Sequence, residues 1–371
     1  MRILHLLAPA PAGGLERVVQ GLAIGQLQRG HEVRVVPVVE HWRDDVSFAM
    51  PLARAGVTIT PIVVAGRDYG GERRHLRHIL SAHEPDVVHS HGYHTNVVCR
   101  RLVMDAGVPF VATAHGFTRG SVKNRLFEWL DCRALARCDA ALAVSRPLAE
   151  ELAQRGVPRP RLHTVPNGWV QTVPPLARHE ARAALGLPLD ATVVGWVGRM
   201  THEKGLDVFI EALAHAPPTA IACIVGAGVE RTSAERRATA LGLSDRITWA
   251  GLLGEAGRYF AGFDLLCQSS RTEGVPMVLL DAMALGIPIV ATAVGGIPDV
   301  LSDAEASLVP PEDPDALGNA IAGTLASPAR AHARAHAARD RLARQFSGNA
   351  WLDEHERIYR MAMTRRPRRR I

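Results

Sequence analysis

The stretch GIPIVATAVG, residues 286–295, has a close counterpart in GVPFVATAHG at 107–116, and the two agree at seven of ten positions. In both, a Gly-x-Pro turn leads into an apolar run of small and β-branched residues that ends near a glycine. Such a run, bounded by turn residues, is typical of a strand buried in a parallel sheet. We therefore predict that the same local structure recurs in the two halves of the chain, although seven matching positions do not establish a gene duplication.

Strand-like and helix-like stretches alternate on both sides of these runs. RILHLL (2–7) and HEVRVVPV (31–38) predict strands, and GGLERVVQGLAIGQLQRG (13–30) predicts a helix between glycine turns. The alternation resumes at ATVVGWVGRM (191–200). Alternating strands and helices are typical of parallel sheets covered on both faces. The order predicts an α/β chain of two tandem Rossmann-like, doubly wound domains facing across a cleft, where ligands bind at the carboxyl ends of the strands.

The proline-punctuated stretch HTVPNGWVQTVPPLARHE (163–180) has weak periodicity and suits a linker. We place the domain boundary there and predict one domain over 1–175 and a second over 176–345. Residues 346–371 are predicted to form a helix that crosses back to the first domain, followed by a basic tail.

Composition limits the class of protein. The chain has 371 residues, of which 47% are hydrophobic and 22% charged, enough for a sizeable core in two domains. Its apolar runs are far shorter than the roughly 18 residues that span a bilayer. Five scattered cysteines without a Cys-x-x-Cys pair argue against a disulfide framework and a zinc site, so a cytoplasmic location is expected.

Net charge is +6, and five arginines lie in TRRPRRRI at 364–371. Such a tail either contacts anionic lipid head groups or nucleic acid, or is a solvated end. Basic and apolar residues also mix in FTRGSVKNRLFEWLDCRALARC (117–138), which suits either an interfacial helix or packing within the first domain. We expect peripheral contact with an anionic membrane and no nucleic-acid partner.

Two acids, Glu273 and Asp281, stand in RTEGVPMVLLDAMALG (271–286). Gly274 permits a close backbone approach or an unusual φ, and Pro276 suits the first position of a buried helix that stops at Gly286. The free N–H groups of the first turn, near Val275 and Met277, form a natural diphosphate site with the helix dipole. The acids would hold hydroxyls at either end of a nucleotide sugar; alternatively they make a helix cap and a salt bridge.

This segment resembles the E-x7-E motif of family 4 glycosyltransferases of GT-B architecture, here with Glu273 and Asp281. The resemblance implies that Glu273 contacts the donor sugar and Asp281 the ribose, with aspartate in place of the second glutamate. VGRMTHEKGLDVFIEAL (197–213) resembles the G-R-x4-K-G element of the family, which assigns Arg199 and Lys204 to the donor diphosphate. Two cations beside a helix N-terminus can stabilise the departing diphosphate without a metal; ordinary surface pairing is the alternative.

Three further matches lie in the first half. AGGLERVV (12–19) resembles the N-terminal glycine loop of the family, where the amides of Gly13 and Gly14 approach phosphate and acceptor; a plain helix-start turn is the alternative. TAHGF places His115 at a strand end, matching the active-site histidine of the family, although a structural loop histidine would look the same. Asn167, in a Pro-Asn-Gly element, either lines the cleft or forms a hinge.

Other signals are weaker. VGAGVERT (225–232) lacks the third glycine of a dinucleotide fingerprint. The histidines of HSHGYH (89–94) suggest a metal, but strand alternation puts only His89 and His91 on one face, so no metal site is predicted.

The resemblance covers nearly the whole chain and implies a retaining, metal-independent hexosyltransferase without a cofactor. It would move a sugar from a nucleotide-sugar donor to a saccharide or lipid-linked acceptor, in the biosynthesis of surface polysaccharide, lipopolysaccharide or glycolipid. A location at the inner face of the cytoplasmic membrane would suit such acceptors. Two alternatives stay open: a nucleotide-sugar-binding protein without turnover, and a nicotinamide-dependent oxidoreductase.

Overall fold

A computed structural model describes residues 1–10, 13–42, 48–117 and 122–366. The chain forms two compact units. Unit 1 combines Met1–Thr172 with Ser347–Ile371, and unit 2 is Val173–Phe346. Among the described residues, no helix has both the length and the apolar character needed to cross a membrane.

The first segment of unit 1 alternates strands with helices. Within its described residues, the strands are β1 (Arg2–Leu7), β2 (Glu32–Val39), β3 (Thr58–Ile59), β4 (Ile62–Val63), β5 (Val87–His91), β6 (Phe110–Ala114), β7 (Ala140–Ala143) and β8 (Leu162–Thr164). The helices are α1 (Gly14–Gln28), α2 (Ala49–Arg54), α3 (Tyr69–His83), α4 (Tyr93–Asp105), α5 (Val122–Leu135) and α6 (Arg146–Gln154). All strand pairs are parallel, in the order β3-β2-β1-β5-β6-β7-β8, with β4 beside β2.

Unit 2 repeats this plan. Its strands are β9 (Thr192–Val197), β10 (Ala220–Val225), β11 (Ile247–Gly251), β12 (Leu265–Gln268), β13 (Ile289–Thr292) and β14 (Ser307–Val309). Its helices are α7 (Arg178–Leu185), α8 (Leu206–Leu213), α9 (Arg231–Ala240), α10 (Met277–Leu285), α11 (Ile297–Val300), α12 (Pro314–Ala326) and α13 (Pro328–Gln345). The sheet is parallel, in the order β11-β10-β9-β12-β13-β14.

Both sheets reverse their strand order beside the first strand of the unit. In unit 1 the chain proceeds from β1 to β2 on one side and later returns to add β5 on the other side. In unit 2, β9 lies between β10 and β12 in the same way. This is the doubly wound arrangement, whose ligand crevice lies at the carboxyl ends of the strands where the order reverses. The predicted α/β fold is confirmed.

The two matching sequence stretches form corresponding strands. Residues 107–116 contain β6, and 286–295 contain β13, and both strands are fully buried. Small and β-branched residues fit these positions because helices cover both faces of a parallel sheet. The predicted recurrence of local structure is therefore confirmed.

After unit 2 the chain returns to unit 1 as α14 (Gly348–Arg365). Trp351 packs on Gly168, where any side chain would collide with the indole. Arg29, the residue that follows α1, binds α14 through Asp353 at 2.6 Å and Glu356 at 3.1 Å. The hydroxyl of the fully buried Tyr359 accepts a hydrogen bond from Gln26 Nε2 and lies 2.7 Å from His89 Nδ1, both inside unit 1. Thus α14 supplies part of the interior of unit 1.

Candidate active site

The candidate donor site of unit 2 lies after two neighbouring strands. β9 pairs with β12, and each strand is followed by a loop that contains predicted site residues. Lys204 ends a short 3-10 turn, His202–Lys204, after β9, and Glu273 lies in the loop after β12. Because both strands are parallel, their following loops meet at one edge of the sheet.

Lys204 and Glu273 form an ion pair at this edge. The Lys204 Nζ atom lies 2.6 Å from Glu273 Oε1, and the carboxylate is almost buried, with 6% of the side chain exposed. Oε1 also accepts hydrogen bonds from Ser270 Oγ at 2.7 Å and Gln268 Nε2 at 2.9 Å. Within the described part of the chain, no donor contacts Oε2. The carboxylate is therefore fixed through one oxygen.

Gly205 brings Lys204 close to the loop after β12. It has a φ of 62°, and a Cβ there would overlap the carbonyl oxygen of Ser269. Ser269 Oγ donates to the Gly205 carbonyl at 2.7 Å, and the Trp196 indole donates to the same hydroxyl at 3.0 Å. The Lys-Gly dipeptide therefore has a steric basis, because only glycine permits this approach.

Arg199 follows β9 and pairs with Glu203 at 3.1 Å, with half of its side chain exposed. Sequence reasoning missed Arg271, which ties the two loops together. Its guanidinium binds both carboxylate oxygens of Asp207, at 2.9 and 2.8 Å, and donates to the His202 carbonyl. Such a bidentate pair fixes orientation as well as distance. The position of Arg271 beside the E-x7-E stretch was the available sequence signal for its role. No signal in the sequence indicated its partner Asp207, which lies 64 positions away.

The helix after Glu273 begins later than predicted. Pro276 has ψ 124° and is the N-cap residue of α10, so Met277 is the first helical residue. The prediction that Pro276 occupies the first helical position is wrong by one residue, because that extended ψ cannot continue a helix. The predicted stop at Gly286 is confirmed by its left-handed φ of 66°. Val275 and Met277 are both buried beside the helix start.

Gly274 is half-buried, and the positive φ of this region belongs instead to Gly295, at 55°. A Cβ at Gly295 would overlap the carbonyl oxygen of Glu273, which also accepts from the Gly296 amide at 3.3 Å. Asp281 is buried on α10 and faces Gly257, where a Cβ would come 3.0 Å from its Oδ2. The backbone of Glu273 is thus held by the loop after β13, and Asp281 lies against the turn Ala256–Gly262.

The remaining predicted residues belong to unit 1. Gly13 is the extended N-cap residue of α1, and Gly14 is its first helical residue. Asn167 is buried, and His115 is half-buried immediately after β6. Burial, and then the charge of His355, lower the pKa of His115 to about 4. The imidazole of His115 is therefore neutral near pH 7.

A buried histidine cluster adjoins His115. Ring nitrogens of His5, His89 and His91 come within 4.8 Å of one another, a spacing that would allow a metal ion. Both nitrogens of each of these rings already lie within hydrogen-bond distance of a protein group. His94 pairs instead with Glu72 at 2.9 Å. The cluster is a hydrogen-bonded network, and strand alternation in HSH was the signal for its two central members.

Comparisons with known proteins show the family and the fold of the chain. A model of glycosyl transferases group 1 matches residues 177–341, and a model of glycosyltransferase family 4 matches 12–169. Anabaena Alr3699/HepE, solved in complex with UDP-glucose, superposes with a TM-score of 0.83 at 22% identity over 96% of this chain and 98% of that chain. The fold is that of the GT-B glycosyltransferases.

Two curated relatives narrow the assignment. D-inositol 3-phosphate glycosyltransferase of Xylanimonas cellulosilytica is 32% identical, covering 76% of this chain and 74% of the relative. The protein of the same name from Mycolicibacterium paratuberculosis is 31% identical, covering 95% and 86% respectively. The chain belongs to glycosyltransferase family 4 and is a glycosyltransferase.

Proposed function

We propose that this enzyme is a retaining, metal-independent transferase that moves a hexose from a nucleotide-sugar donor to an acceptor hydroxyl. The Lys204–Glu273 pair carries the proposal, because it sets a cation and a fixed carboxylate at the carboxyl ends of β9 and β12, close in sequence to the start of α10. Solved relatives in fold include HepE with UDP-glucose, which supports a nucleoside-diphosphate sugar as donor.

Unit 2 would hold the donor. Departure of the nucleoside diphosphate places negative charge on its oxygens, which Lys204, Arg199 and the first amides of α10 would stabilise. Glu273 Oε2 would accept a hydrogen bond from a hydroxyl of the donor sugar, and Asp281 would accept one from a ribose hydroxyl. The C1–O bond to phosphate breaks, the acceptor oxygen bonds to C1 on the same face, and its proton passes to the leaving phosphate.

Unit 1 would supply the remaining groups. The Gly13 and Gly14 amides would approach phosphate and acceptor, and neutral His115 would orient a hydroxyl of the transferred sugar. Asn167, which is buried in unit 1, would contribute a polar contact to the donor. A saccharide or lipid-linked acceptor in surface polysaccharide or glycolipid assembly is supported by relatives named D-inositol 3-phosphate glycosyltransferase and teichuronic acid biosynthesis glycosyltransferase TuaC, and by the fold neighbour WaaG, a glycosyltransferase involved in lipopolysaccharide biosynthesis.

One surface of unit 1 favours contact with an anionic membrane. Arg125, Trp129 and Arg133 are spaced four residues apart along α5, and all three are exposed. The Arg133 guanidinium lies 4.7 Å from the centre of the Trp129 ring, and Leu126 is 54% exposed beside this row. Aromatic and basic side chains on one helix face suit the interface of an anionic bilayer.

The first experiment measures nucleoside diphosphate release from uridine, guanosine and adenosine diphosphate sugars, with chelator present. Acceptors are inositol 3-phosphate and a bacterial lipid extract. We expect release with one donor base that depends on an acceptor, and a product with the anomeric configuration of the donor by NMR. An inverted product would refute the retaining mechanism, and donor binding without turnover under all conditions would favour a binding protein.

The second experiment tests Lys204. We expect Lys204→Ala to lower kcat by about 10²–10³-fold, the usual loss on removing one group that stabilises transition-state charge, in a variant that still folds as judged by circular dichroism. The control is Arg236→Ala, an exposed cation on α9. Near-normal turnover in Lys204→Ala would remove this residue from the mechanism.

The third experiment tests the membrane surface by co-sedimentation with phosphatidylglycerol vesicles. Trp129→Ala should weaken binding several-fold, and Leu189→Ala, at a 60% exposed leucine of unit 2, should not. Equal binding by both variants would exclude α5 as the contact.

A further inference from the structure

A continuous row of hydrogen bonds leads from α1 to His115. Gln26 Oε1 lies 2.8 Å from His5 Nε2. His5 Nδ1 lies 3.1 Å from His91 Nε2, and His91 Nδ1 lies 3.4 Å from His115 Nε2. Gln26, His5 and His91 are fully buried. The row thus joins helix α1, strands β1 and β5 and the end of β6.

A second branch fixes the orientation of the Gln26 amide. Gln26 Nε2 donates to the Tyr359 hydroxyl at 3.3 Å. That hydroxyl lies 2.7 Å from His89 Nδ1, and His89 Nε2 lies 2.7 Å from Thr113 Oγ1. Because the amide nitrogen donates to Tyr359, the amide oxygen faces His5, and an amide oxygen only accepts.

The rings of the row are neutral near pH 7. Burial lowers the pKa of His5 to about 4, and it lowers the pKa of His91 well below its ordinary value. A neutral imidazole carries one N–H and one acceptor nitrogen. Each contact between two rings therefore needs a donor on one side and an acceptor on the other, so the state of one ring sets the state of the next.

The direction of the row follows from its first member. Gln26 Oε1 requires His5 to carry its proton on Nε2, which leaves Nδ1 to accept from His91 Nε2–H. His91 Nδ1 then accepts from His115 Nε2–H. We infer that Gln26, His5 and His91 are positioning residues that hold His115 in the Nε2–H tautomer, with Nδ1 as a fixed acceptor for a substrate hydroxyl. The last clause rests on the proposed function; the tautomer does not.

The inference makes His115 selective for a group that donates a hydrogen bond. A sugar or acceptor hydroxyl can donate to Nδ1, whereas an ether or carbonyl oxygen at the same place cannot. An imidazole without such a row exchanges between its two tautomers. It then carries its proton on Nδ1 part of the time, so that an N–H stands where a hydroxyl would need an acceptor. The row thus removes an unproductive state before substrate binds.

The test uses the full chain labelled with ¹⁵N-histidine, with NMR detection of pyrrole-type and pyridine-type ring nitrogens. His115→Gln assigns the His115 signals. In the wild type we expect pyrrole-type Nε2 and pyridine-type Nδ1 at His5, His91 and His115. A protonated Nδ1 at His115, or a charged ring near pH 7, would overturn the inference. This readout needs no substrate, so it stands apart from any failure of the proposed reaction.

Two near-isosteric variants separate direction from packing. Gln26→Met fills the same space but cannot accept from His5, whereas Gln26→Glu still accepts. We expect both His115 tautomers in Gln26→Met and the Nε2–H form alone in Gln26→Glu. For turnover we expect kcat to fall about tenfold in Gln26→Met, with the donor KM within about threefold of wild type. This loss is a part of the ~10²–10⁴-fold rate enhancement that a positioned acid–base group contributes. Wild-type tautomer and kcat in Gln26→Met would overturn the inference.

Discussion

Moderate acid should destabilise unit 1 strongly, because its interior contains imidazoles that remain neutral when folded. Burial lowers the pKa of His5 and His355 to about 4, and it lowers the pKa of His89 and His91 well below 6.5. In the unfolded chain each ring titrates near 6.5. The unfolded state therefore binds more protons between pH 6.5 and 4. The stability that depends on these neutral rings is fully present above pH 6.5 and is lost as the pH falls from 6.5 to 4.

The size of the loss follows from these pKa values. Between pH 7 and pH 5, a ring that moves from 6.5 to about 4 on folding loses about 2 kcal/mol of stabilisation. The three rings with folded pKa values of about 4, those of His5, His115 and His355, together lose roughly 6 kcal/mol by the same linkage. Burial raises the pKa of Asp131 to about 6, which acts in the opposite direction and returns about 1 kcal/mol. A net loss of about 5 kcal/mol is comparable with the whole stability of a marginally stable domain, since domains unfold with about 5–15 kcal/mol.

Urea unfolding at pH 7, 6 and 5 measures this loss through the midpoint of the unit 1 transition. We expect most of the decrease between pH 6.5 and 5, and a decrease smaller by about 2 kcal/mol in His355→Phe, which removes one such ring. His336→Gln, at an exposed position on α13, serves as the control. A flat midpoint from pH 7 to 5, with loss only below pH 4, would show that the buried rings are charged in the folded protein and would refute the reasoning.

Three further changes have expected outcomes. Asp131→Asn should raise stability at pH 8 by up to about 3 kcal/mol, because the raised pKa of this buried carboxyl disfavours its ionised form above pH 6, and the gain should vanish by pH 4 in urea titrations. Gly205→Ala should abolish transfer, because its Cβ would overlap a backbone oxygen. Gly286→Ala, at a similar φ of 66° in open space, should cost only about 1 kcal/mol and retain activity; equal losses would contradict the steric argument. The main expected effect of Arg271→Lys is a higher donor KM, with only a small loss of stability, since it removes the bidentate contact with Asp207. An unchanged KM would exclude a role of this contact in donor binding.

Local patterns were sufficient for the sheets but not for helix boundaries. The strands β6 and β13 were predictable because a short buried strand between turn residues leaves few alternatives. Gly286 was predictable as a stop because a left-handed residue favours glycine. Pro276 was misplaced because the fixed φ of proline suits both an N-cap and the first helical position, and only ψ separates them.

Contacts between distant residues could not be read from the sequence. Lys204 and Glu273 were both predicted at the donor site, but their direct pairing across 69 positions depends on which strands are neighbours. The same holds for the histidine network. His5 and His355 are 350 positions apart, and no local pattern indicates that they enter one interior. Periodicity reports which face of an element is buried, whereas the partners on that face depend on the folded arrangement.

The return of α14 to unit 1 also bears on how the protein is made. A ribosome completes residues 1–172 first, yet Trp351 and Tyr359, which fill the interior beside Gly168 and His89, emerge only after all of unit 2. At ~5–20 residues per second, the intervening 190 or so residues take about 10–40 s to translate. During that time the nascent first unit lacks its closing helix and exposes apolar surface, while unit 2 can already fold. The helix that completes unit 1 is therefore translated only after the whole of unit 2.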